Sequence, residues 1–461
     1  MAEIKFGTDG WRDKIAENFT FENLKKAAEA YAVFMRKKIK NPRIALGYDN
    51  RFLSEKYASF CAEIFSSCGF TVKAFDTPVH TPLVSWTIRE KRLDGGIMIT
   101  SSHNPYLYNG FKIKNKFGAG ASSEETKRVE AIIKKKMKPK KCEGKIIKIN
   151  MDREYIKAMR KMVNTALIKK SGIKVVLDTM CGSGAGYIEK ILGHYKKLHV
   201  INNRRDPYFG GINPEPIAQN LGRLMAEVKK RKADIGIAID GDGDRMGIID
   251  DKGNYLSPHK VLVFHLLHHM KHRKMRPEIV RTISGTLLLD KIAHHNHMVI
   301  YETPVGFKHI GEFIIKDKNT IGGEESGGIG FGYYLPERDG VAGNLLMLEF
   351  LASEKKKISR ILKELDKEYG PYRYDRIDVK FREKERKAII SKVNAIEGNR
   401  YILGREIEWV NRLDGIKFIL DDNEWILFRF SGTEPLLRIY SEAPSTARVH
   451  KLLEFGAKVI K

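Results

Sequence analysis

The chain has 461 residues, 42% of them apolar and 10% aromatic, enough for several packed domains and too hydrophobic for a disordered segment. Lysine and arginine number 83 against 57 acidic residues, a net charge of +26 that attracts anions of any kind. No run approaches the roughly 20 apolar residues of a membrane span, no basic-then-apolar leader opens the sequence, and four cysteines without a CxxC pair make no disulfide framework; a soluble, reduced, cytoplasmic protein is expected.

In chain order, apolar strand-like runs alternate with helical patterns, the mark of α/β architecture. The first third predicts helices over Phe21 to Lys38 and Ser54 to Ser67, and strands over Arg43 to Tyr48, Thr71 to Phe75 and Gly95 to Thr100. On the second helix Ala58, Cys61, Phe65 and Cys68 share one face, so both cysteines read as core. Strands follow at Ile173 to Asp178, Ile235 to Asp240, Ile279 to Ile283 and Met298 to Glu302. After Gly370-Pro371 strands dominate (Arg376 to Phe381, Ile416 to Leu420, Trp425 to Phe430, Leu437 to Tyr440), closed by a helix from Ser445. This divides the chain into domains at 1–145, 146–251, 252–371 and 372–461. The basic runs Lys134 to Lys141, Lys229 to Lys232 and Lys355 to Lys357 read as solvated helix ends, since no nucleic-acid reader motif accompanies them.

Three strands run into polar loops. Asp240-Gly-Asp-Gly-Asp-Arg245 sets three carboxylates at alternate positions, which can curl round a hard divalent cation such as Mg²⁺. An EF-hand is excluded, because its sixth position would be Arg245 and its twelfth Asp251. Thr100-Ser-Ser-His-Asn-Pro105 offers a serine beside His103 at a strand end, and a serine near bound Mg²⁺ suits phosphoryl transfer. Gly323-Glu-Glu-Ser-Gly-Gly328 offers carboxylates and a hydroxyl suited to sugar hydroxyls. Arg429-Phe-Ser-Gly-Thr-Glu-Pro435 with Arg438 combines a Gly turn, hydroxyls and guanidinium groups, a phosphate-sized cradle. Open α/β sheets bind ligands at the carboxyl ends of their strands, so the first three loops are expected to converge. Gly182-Ser-Gly-Ala-Gly186 fails the dinucleotide fingerprint, because its third glycine would fall on Tyr187. His265, His268, His269 and His272 lie at helical spacing without HExxH or a cysteine ligand, which predicts a solvated or half-buried helix face rather than zinc.

Together, Phe6-Gly-Thr-Asp-Gly-Trp-Arg12, the Ser-His-Asn-Pro loop, Asp-Gly-Asp-Gly-Asp-Arg, Gly-Glu-Glu-Ser-Gly and Arg-Phe-Ser-Gly-Thr-Glu-Pro resemble the α-D-phosphohexomutase superfamily, in its order and over nearly the whole chain. The match resembles the phosphoglucomutase/phosphomannomutase group most. The resemblance implies three similar α/β/α domains plus a C-terminal α+β (TATA-box-binding-protein-like) domain, heart-shaped around a central cleft. It implies that Ser102, and not Ser101, carries a phosphate, and that Asp240, Asp242 and Asp244 hold Mg²⁺ with the Ser102 phosphate completing the shell. Glu324 and Ser326 would bind sugar hydroxyls. Arg429, Ser431, Gly432, Thr433 and Arg438 would hold the phosphate that does not move. Arg12, His103, Lys112, Arg245 and Lys308 would line the reacting centre, with Lys112 the first candidate for proton transfer and His103 the second.

The implied activity is reversible interconversion of hexose 1-phosphate and hexose 6-phosphate, with hexose 1,6-bisphosphate as intermediate and activator. Two departures stand out. Asp13 replaces a Gly common after Arg12. The sugar loop ends in Gly328, where many phosphomannomutases and phosphoglucosamine mutases have a histidine, which favours glucose. Phosphoglucosamine mutase is the alternative enzyme, and a basic nucleic-acid-binding protein the alternative of another class. Hexose phosphates are the expected partners, with no membrane and no specific nucleic acid; oligomeric state is not readable.

Overall fold

The computed structural model describes residues 4–7, 9–431 and 435–460. The chain forms two compact units, Met1–Met275 with Gly306–Ile358, and Arg276–Val305 with Ser359–Lys461.

In the first unit, one sheet is built from β1 (Trp11–Lys14), β2 (Arg43–Tyr48), β3 (Thr71–Phe75), β4 (Gly95–Ile99), β5 (Tyr108–Lys114) and β6 (Lys145–Ile149), in the order β1-β5-β4-β2-β3-β6. Strands β2, β3, β4 and β6 run parallel; β5 pairs antiparallel with β4, and β1 pairs antiparallel with β5. The helix Phe21–Arg36 starts on Thr20, whose side chain accepts from Asn23 N, and buries Leu24, Ala27, Ala28 and Tyr31. Against it packs Ser54–Ser66, which buries Tyr57, Cys61 and Phe65. Cys61 and Cys68 are core residues, as their spacing predicts; a fully buried Phe or Leu here contributes about 1.5–3 kcal/mol.

The second sheet repeats the pattern with β7 (Val175–Asp178), β8 (Leu198–Ile201), β9 (Ile235–Ile239), β10 (Met246–Ile249) and β11 (Tyr255–Leu256), ordered β11-β10-β9-β7-β8. Here β7, β8 and β9 are parallel, β10 pairs antiparallel with β9, and β11 pairs antiparallel with β10. Gly182 to Gly186 form the close turn into the helix Tyr187–Leu192, with Gly186 at φ 83°. β12 (Glu278–Thr282) and β13 (Ile300–Thr303) pair in parallel and belong to the second unit. β14 (Thr320–Gly323) and β15 (Ile329–Phe331) pair antiparallel and belong to the first.

The helix Pro258–Lys271 corrects one expectation. His265, His268 and His269 are fully buried rather than solvated or half-buried. The helix Gly340–Glu354 packs along Pro258–Lys271 and buries its own apolar residues on all sides, so the histidine face meets protein. His265 and His269 lie against Phe331, and His268 Nε2 is 3.3 Å from Glu349. Burial first of all keeps all three imidazoles neutral, with pKa values below the ordinary range.

The second unit also holds β16 (Arg373–Lys380), the short pair β17 (Tyr401–Ile402) and β18 (Arg405–Glu406), then β19 (Trp409–Asn411), β20 (Ile416–Asp421), β21 (Glu424–Phe430) and β22 (Leu436–Ala443). The antiparallel order β16-β22-β21-β20-β19 is covered by the helix Thr446–Ile460, whose Val449 and Leu452 share a core with Phe428 and Ile439. This is the α+β C-terminal domain that follows three α/β/α domains.

One rule of topology places the chemistry. Residues 100–107, 240–245 and 324–328 each join a strand to its antiparallel neighbour: β4 to β5, β9 to β10, and β14 to β15. The three basic runs fall at or beyond the last turns of the helices Ser123–Lys134, Gly222–Arg231 and Gly340–Glu354, where exposed lysines oppose the negative helix end. Among the described residues no helix is long and apolar enough to cross a membrane.

Candidate active site

Ser102 leaves β4 in a left-handed conformation, φ 52°, and is fully buried. Its N–H donates to Thr100 Oγ1 at 2.8 Å and its Oγ donates to Asp240 Oδ2 at 3.3 Å. The loop after β9 therefore meets the loop after β4 at the expected serine. Gly241 makes the approach possible: a Cβ there would stand 2.7 Å from Ser102 O. His103 follows, with Nδ1 3.4 Å from Ser102 Oγ and Nε2 3.9 Å from Glu215. Burial, then the cations Arg245, Arg12, Lys112 and Arg51, hold its pKa well below the ordinary range.

Asp240, Asp242 and Asp244 are all fully buried, and one carboxylate oxygen from each lies within 4.8 Å of the others. Burial and the two neighbouring carboxylates raise the Asp240 pKa well above normal. Asp242 Oδ1 and Asp244 Oδ1 have no hydrogen-bond partner among the described residues. Three buried like charges with two orphaned oxygens are the donor set of a hard divalent cation, so the residues fit a metal ion. Thr81 fixes the middle one: its Oγ1 donates to Asp242 Oδ2 at 2.6 Å and its N–H to Asp242 O at 2.8 Å.

Lys112, on β5, places Nζ 2.7 Å from Asp9, 2.8 Å from Asp242 and 3.2 Å from Asp244. Burial works against its ammonium, but the three carboxylates outweigh burial and raise its pKa. Arg12, paired with β5 through β1, donates to Asn104 Oδ1 at 3.1 Å and to Asp9 at 3.2 Å. Arg245 donates its N–H to Asp240 Oδ1 at 3.0 Å and its guanidinium reaches Glu215 at 3.5 Å.

In the loop after β14, Glu324 accepts from Arg338 at 3.3 Å, and burial pushes its carboxyl up to about 7. The buried Ser326 Oγ has no hydrogen-bond partner among the described residues. Lys308, near the start of the helix Phe307–Lys316, is half-buried, and burial lowers its pKa.

In the second unit, Arg429 and Arg438 stand directly opposite each other across β21 and β22. Arg429 Nε donates to Asp414 at 2.8 Å, and Ser431 N–H to Leu436 O at 2.8 Å. Two cations facing each other across one hairpin suit an anion between them. Gly432 and Thr433 lie outside the described residues.

Four further residues build this site: Asp9, which sits in the Phe6 to Arg12 motif without a role assigned to it, and Arg338, Asp49 and Arg51, which carry no local mark in the sequence. Asp9 accepts from Lys112, Arg12 and Arg338, which hold its carboxyl well below the usual range against the cost of burial. Arg338 donates to Asp244 at 2.7 Å, Asp9 at 3.0 Å and Glu324 at 3.3 Å, so one guanidinium ties three loops together. Asp49 and Arg51, just beyond β2, hold the Ser102 loop from behind. Only their place at a strand's carboxyl end points to them.

The four phosphoglucomutase/phosphomannomutase domain models match in order: α/β/α domain I over residues 3–140, domain II over 153–253, domain III over 258–369 and the C-terminal domain over 377–459. A Thermococcus kodakarensis protein named phosphoglucomutase/phosphomannomutase is 33% identical over 99% of this chain and 98% of its own length. A Methanothermobacter thermautotrophicus protein named as a phosphoglucosamine mutase is 31% identical over 97% and 96%. The crystal structure of a Thermus thermophilus protein described as a phosphomannomutase superposes with a TM-score of 0.88 at 33% identity, covering 100% of this chain and 99% of that one. With the acidic triad beside a buried serine and all four domains matched in register, the chain belongs to the phosphoglucomutase/phosphomannomutase family of the α-D-phosphohexomutases, isomerases that act as intramolecular phosphotransferases.

Proposed function

We propose that this enzyme is a Mg²⁺-dependent phosphoglucomutase with phosphomannomutase activity, preferring glucose, that works through a phosphoserine at Ser102. The observation that carries the reading is the 3.3 Å hydrogen bond from Ser102 Oγ to Asp240, which sets a nucleophile-sized hydroxyl at the edge of the acidic triad. In the forward step, the phosphoryl group leaves Ser102 Oγ for the free hydroxyl of a hexose phosphate, and that hydroxyl loses its proton. That proton ends on the vacated Ser102 Oγ; the resulting hexose 1,6-bisphosphate turns round, its other phosphoryl group returns to Ser102 Oγ, and the Ser102 proton passes to the sugar oxygen that gave it up. Free hexose 1,6-bisphosphate activates by phosphorylating an empty Ser102.

Asp240, Asp242 and Asp244 would hold the Mg²⁺, which neutralises charge on the moving phosphoryl group. Lys112 is the first choice for proton transfer, as an ammonium kept charged by the three carboxylates around its Nζ and able to donate to a leaving oxygen; His103, neutral and 3.4 Å from Ser102 Oγ, is the second. Glu324 and Ser326 take sugar hydroxyls, Arg12, Arg245 and Lys308 the reacting end, and Arg429, Ser431, Gly432, Thr433 and Arg438 the other phosphate. The domain limits at 145, 251 and 371 are part of the same reading.

Phosphoglucosamine mutase is the second reading, favoured by relatives of that name at 31% identity. Gly328 at the end of the sugar loop supports glucose over glucosamine. The test is ³¹P NMR with Mg²⁺, a trace of glucose 1,6-bisphosphate, and glucose, mannose and glucosamine 1-phosphates in parallel. Fast conversion of the glucose signal to the 6-phosphate, slower for mannose and slowest for glucosamine, supports the proposal. Glucosamine turned over fastest reverses the order, and silence on all three sinks the mutase.

A further inference from the structure

Arg51 lies on the turn after β2 and is 1% exposed. Its guanidinium has five N–H donors, and the structure uses them all. Nη2 donates to Ser102 O at 2.6 Å and Asn104 O at 2.7 Å. Nη1 donates to Pro105 O at 2.9 Å and Tyr108 O at 3.1 Å. Nε donates to Asp49 Oδ2 at 3.1 Å. The Phe209 ring closes over the cation at 4.8 Å. Four backbone carbonyls from one short loop thus point at a single cation. Without it their converging dipoles would repel and four hydrogen bonds that hold the loop would be lost.

The same hub reaches the Ser102 N–H by a second route. Asp49 Oδ2 also accepts from Thr100 Oγ1 at 2.6 Å, and Thr100 Oγ1 accepts from Ser102 N at 2.8 Å. Ser54 Oγ donates to the other Asp49 oxygen at 2.9 Å. Ser102 is therefore gripped at both its carbonyl and its N–H while its backbone sits at φ 52°, a conformation that a serine rarely keeps unaided.

We infer that Arg51 is a positioning residue for phosphoryl transfer, a template that fixes the 102–108 backbone so that Ser102 Oγ faces the acidic triad, with Asp49 and Thr100 as its relay. It touches no substrate; it acts through the nucleophile's backbone. This rests on the reading of Ser102 as the phosphoserine. A displacement of about 1 Å at a reacting atom costs on the order of 100-fold in rate, whereas hexose phosphate binding by other loops is untouched. Lysine at this position keeps the charge but has three donors and no planar fork, so Arg51→Lys separates charge from template.

The experiment phosphorylates purified wild-type, Arg51→Lys and Thr100→Val proteins with labelled glucose 1,6-bisphosphate, then chases with glucose 6-phosphate in a quenched-flow instrument, alongside steady-state kinetics and melting curves. Arg51→Lys is expected to slow transfer from the phosphoenzyme about 100-fold, with the KM for hexose phosphate within about threefold of wild type. Thr100→Val, which loses both relay bonds, to Asp49 and from the Ser102 N–H, at nearly constant volume, is expected to slow transfer about tenfold with KM unchanged. Normal transfer in both variants overturns the inference, as does a loss confined to KM or to melting temperature. Where Arg51→Lys does not fold, Thr100→Val alone decides on the same criteria. A wild type that takes no label on Ser102 overturns the phosphoserine reading and this inference with it, while a labelled, active wild type beside unimpaired variants overturns this inference only.

Discussion

A Cβ on Gly328 would stand 2.1 Å from Arg338 Cδ. Arg338 is 3% exposed and is tied to Asp244, Asp9 and Glu324, so it has nowhere to move. The glycine that ends the proposed sugar loop is thus required by an arginine ten positions on. Gly328→Ala should destabilise the protein by about 1–3 kcal/mol through overpacking and lower kcat/KM for glucose 1-phosphate. Placed in an Arg338→Ala background, the same substitution should cost markedly less. A double-mutant cycle by thermal melting checks this; equal costs in both backgrounds would break the link.

Metal binding should be visible without turnover. The triad's buried carboxylates repel one another, and a bound dication relieves that repulsion in the folded state only. Mg²⁺ should therefore raise the melting temperature in a saturable way, by about 2.7 kcal/mol of stability at a hundred times its Kd. Asp242→Asn should abolish most of the shift. A Mg²⁺ response identical in the variant would remove Asp242 from the ligand set.

Ser102→Ala should lose nearly all mutase activity and keep the wild-type fold, because among the described residues the side chain makes only the long contacts to Asp240 and His103. Circular dichroism and ³¹P NMR on the same sample check both halves. Near-normal turnover would exclude Ser102 as the phosphate carrier.

The helix Pro258–Lys271 should confer acid sensitivity. His269 Nδ1 donates to His265 O at 2.7 Å and Nε2 accepts from Tyr333 at 2.9 Å, the pattern of a neutral imidazole. Burial first, with His268 and Arg273 adding to it against His265 O and Glu349, holds its pKa to about 3. Between about pH 3 and the ordinary 6.5, the unfolded chain binds a proton that the folded chain does not. This group's contribution is complete above pH 6.5 and is lost as pH falls, by at most about 1.4 kcal/mol per pH unit. His269→Gln should flatten the fall in melting temperature between pH 6.5 and 4.5; parallel curves would contradict it.

Much of the site is legible before folding because its chemistry is local. Asp240, Asp242 and Asp244 alternate with glycines at the end of an apolar strand, and no core would take three such carboxylates uncompensated. Ser102 likewise follows a strand, Gly95 to Thr100, that the sequence predicts. Arg51 and Arg338 are illegible for the opposite reason. Each is one cation among 83 basic residues, and what marks it is burial against partners 51 and 329 positions away. The histidines of Pro258–Lys271 mislead for a related reason: their spacing reads as an amphipathic polar face, and only the packing of Gly340–Glu354 against that helix turns the face inward.

The most direct test of the account is to locate the phosphate. Purified protein incubated with labelled glucose 1,6-bisphosphate and Mg²⁺, then digested and sequenced, should carry one phosphoryl group on Ser102, and a chase with unlabelled glucose 6-phosphate should return that label to hexose bisphosphate. Label on Ser101 or elsewhere, or label on Ser102 that does not chase, would contradict it.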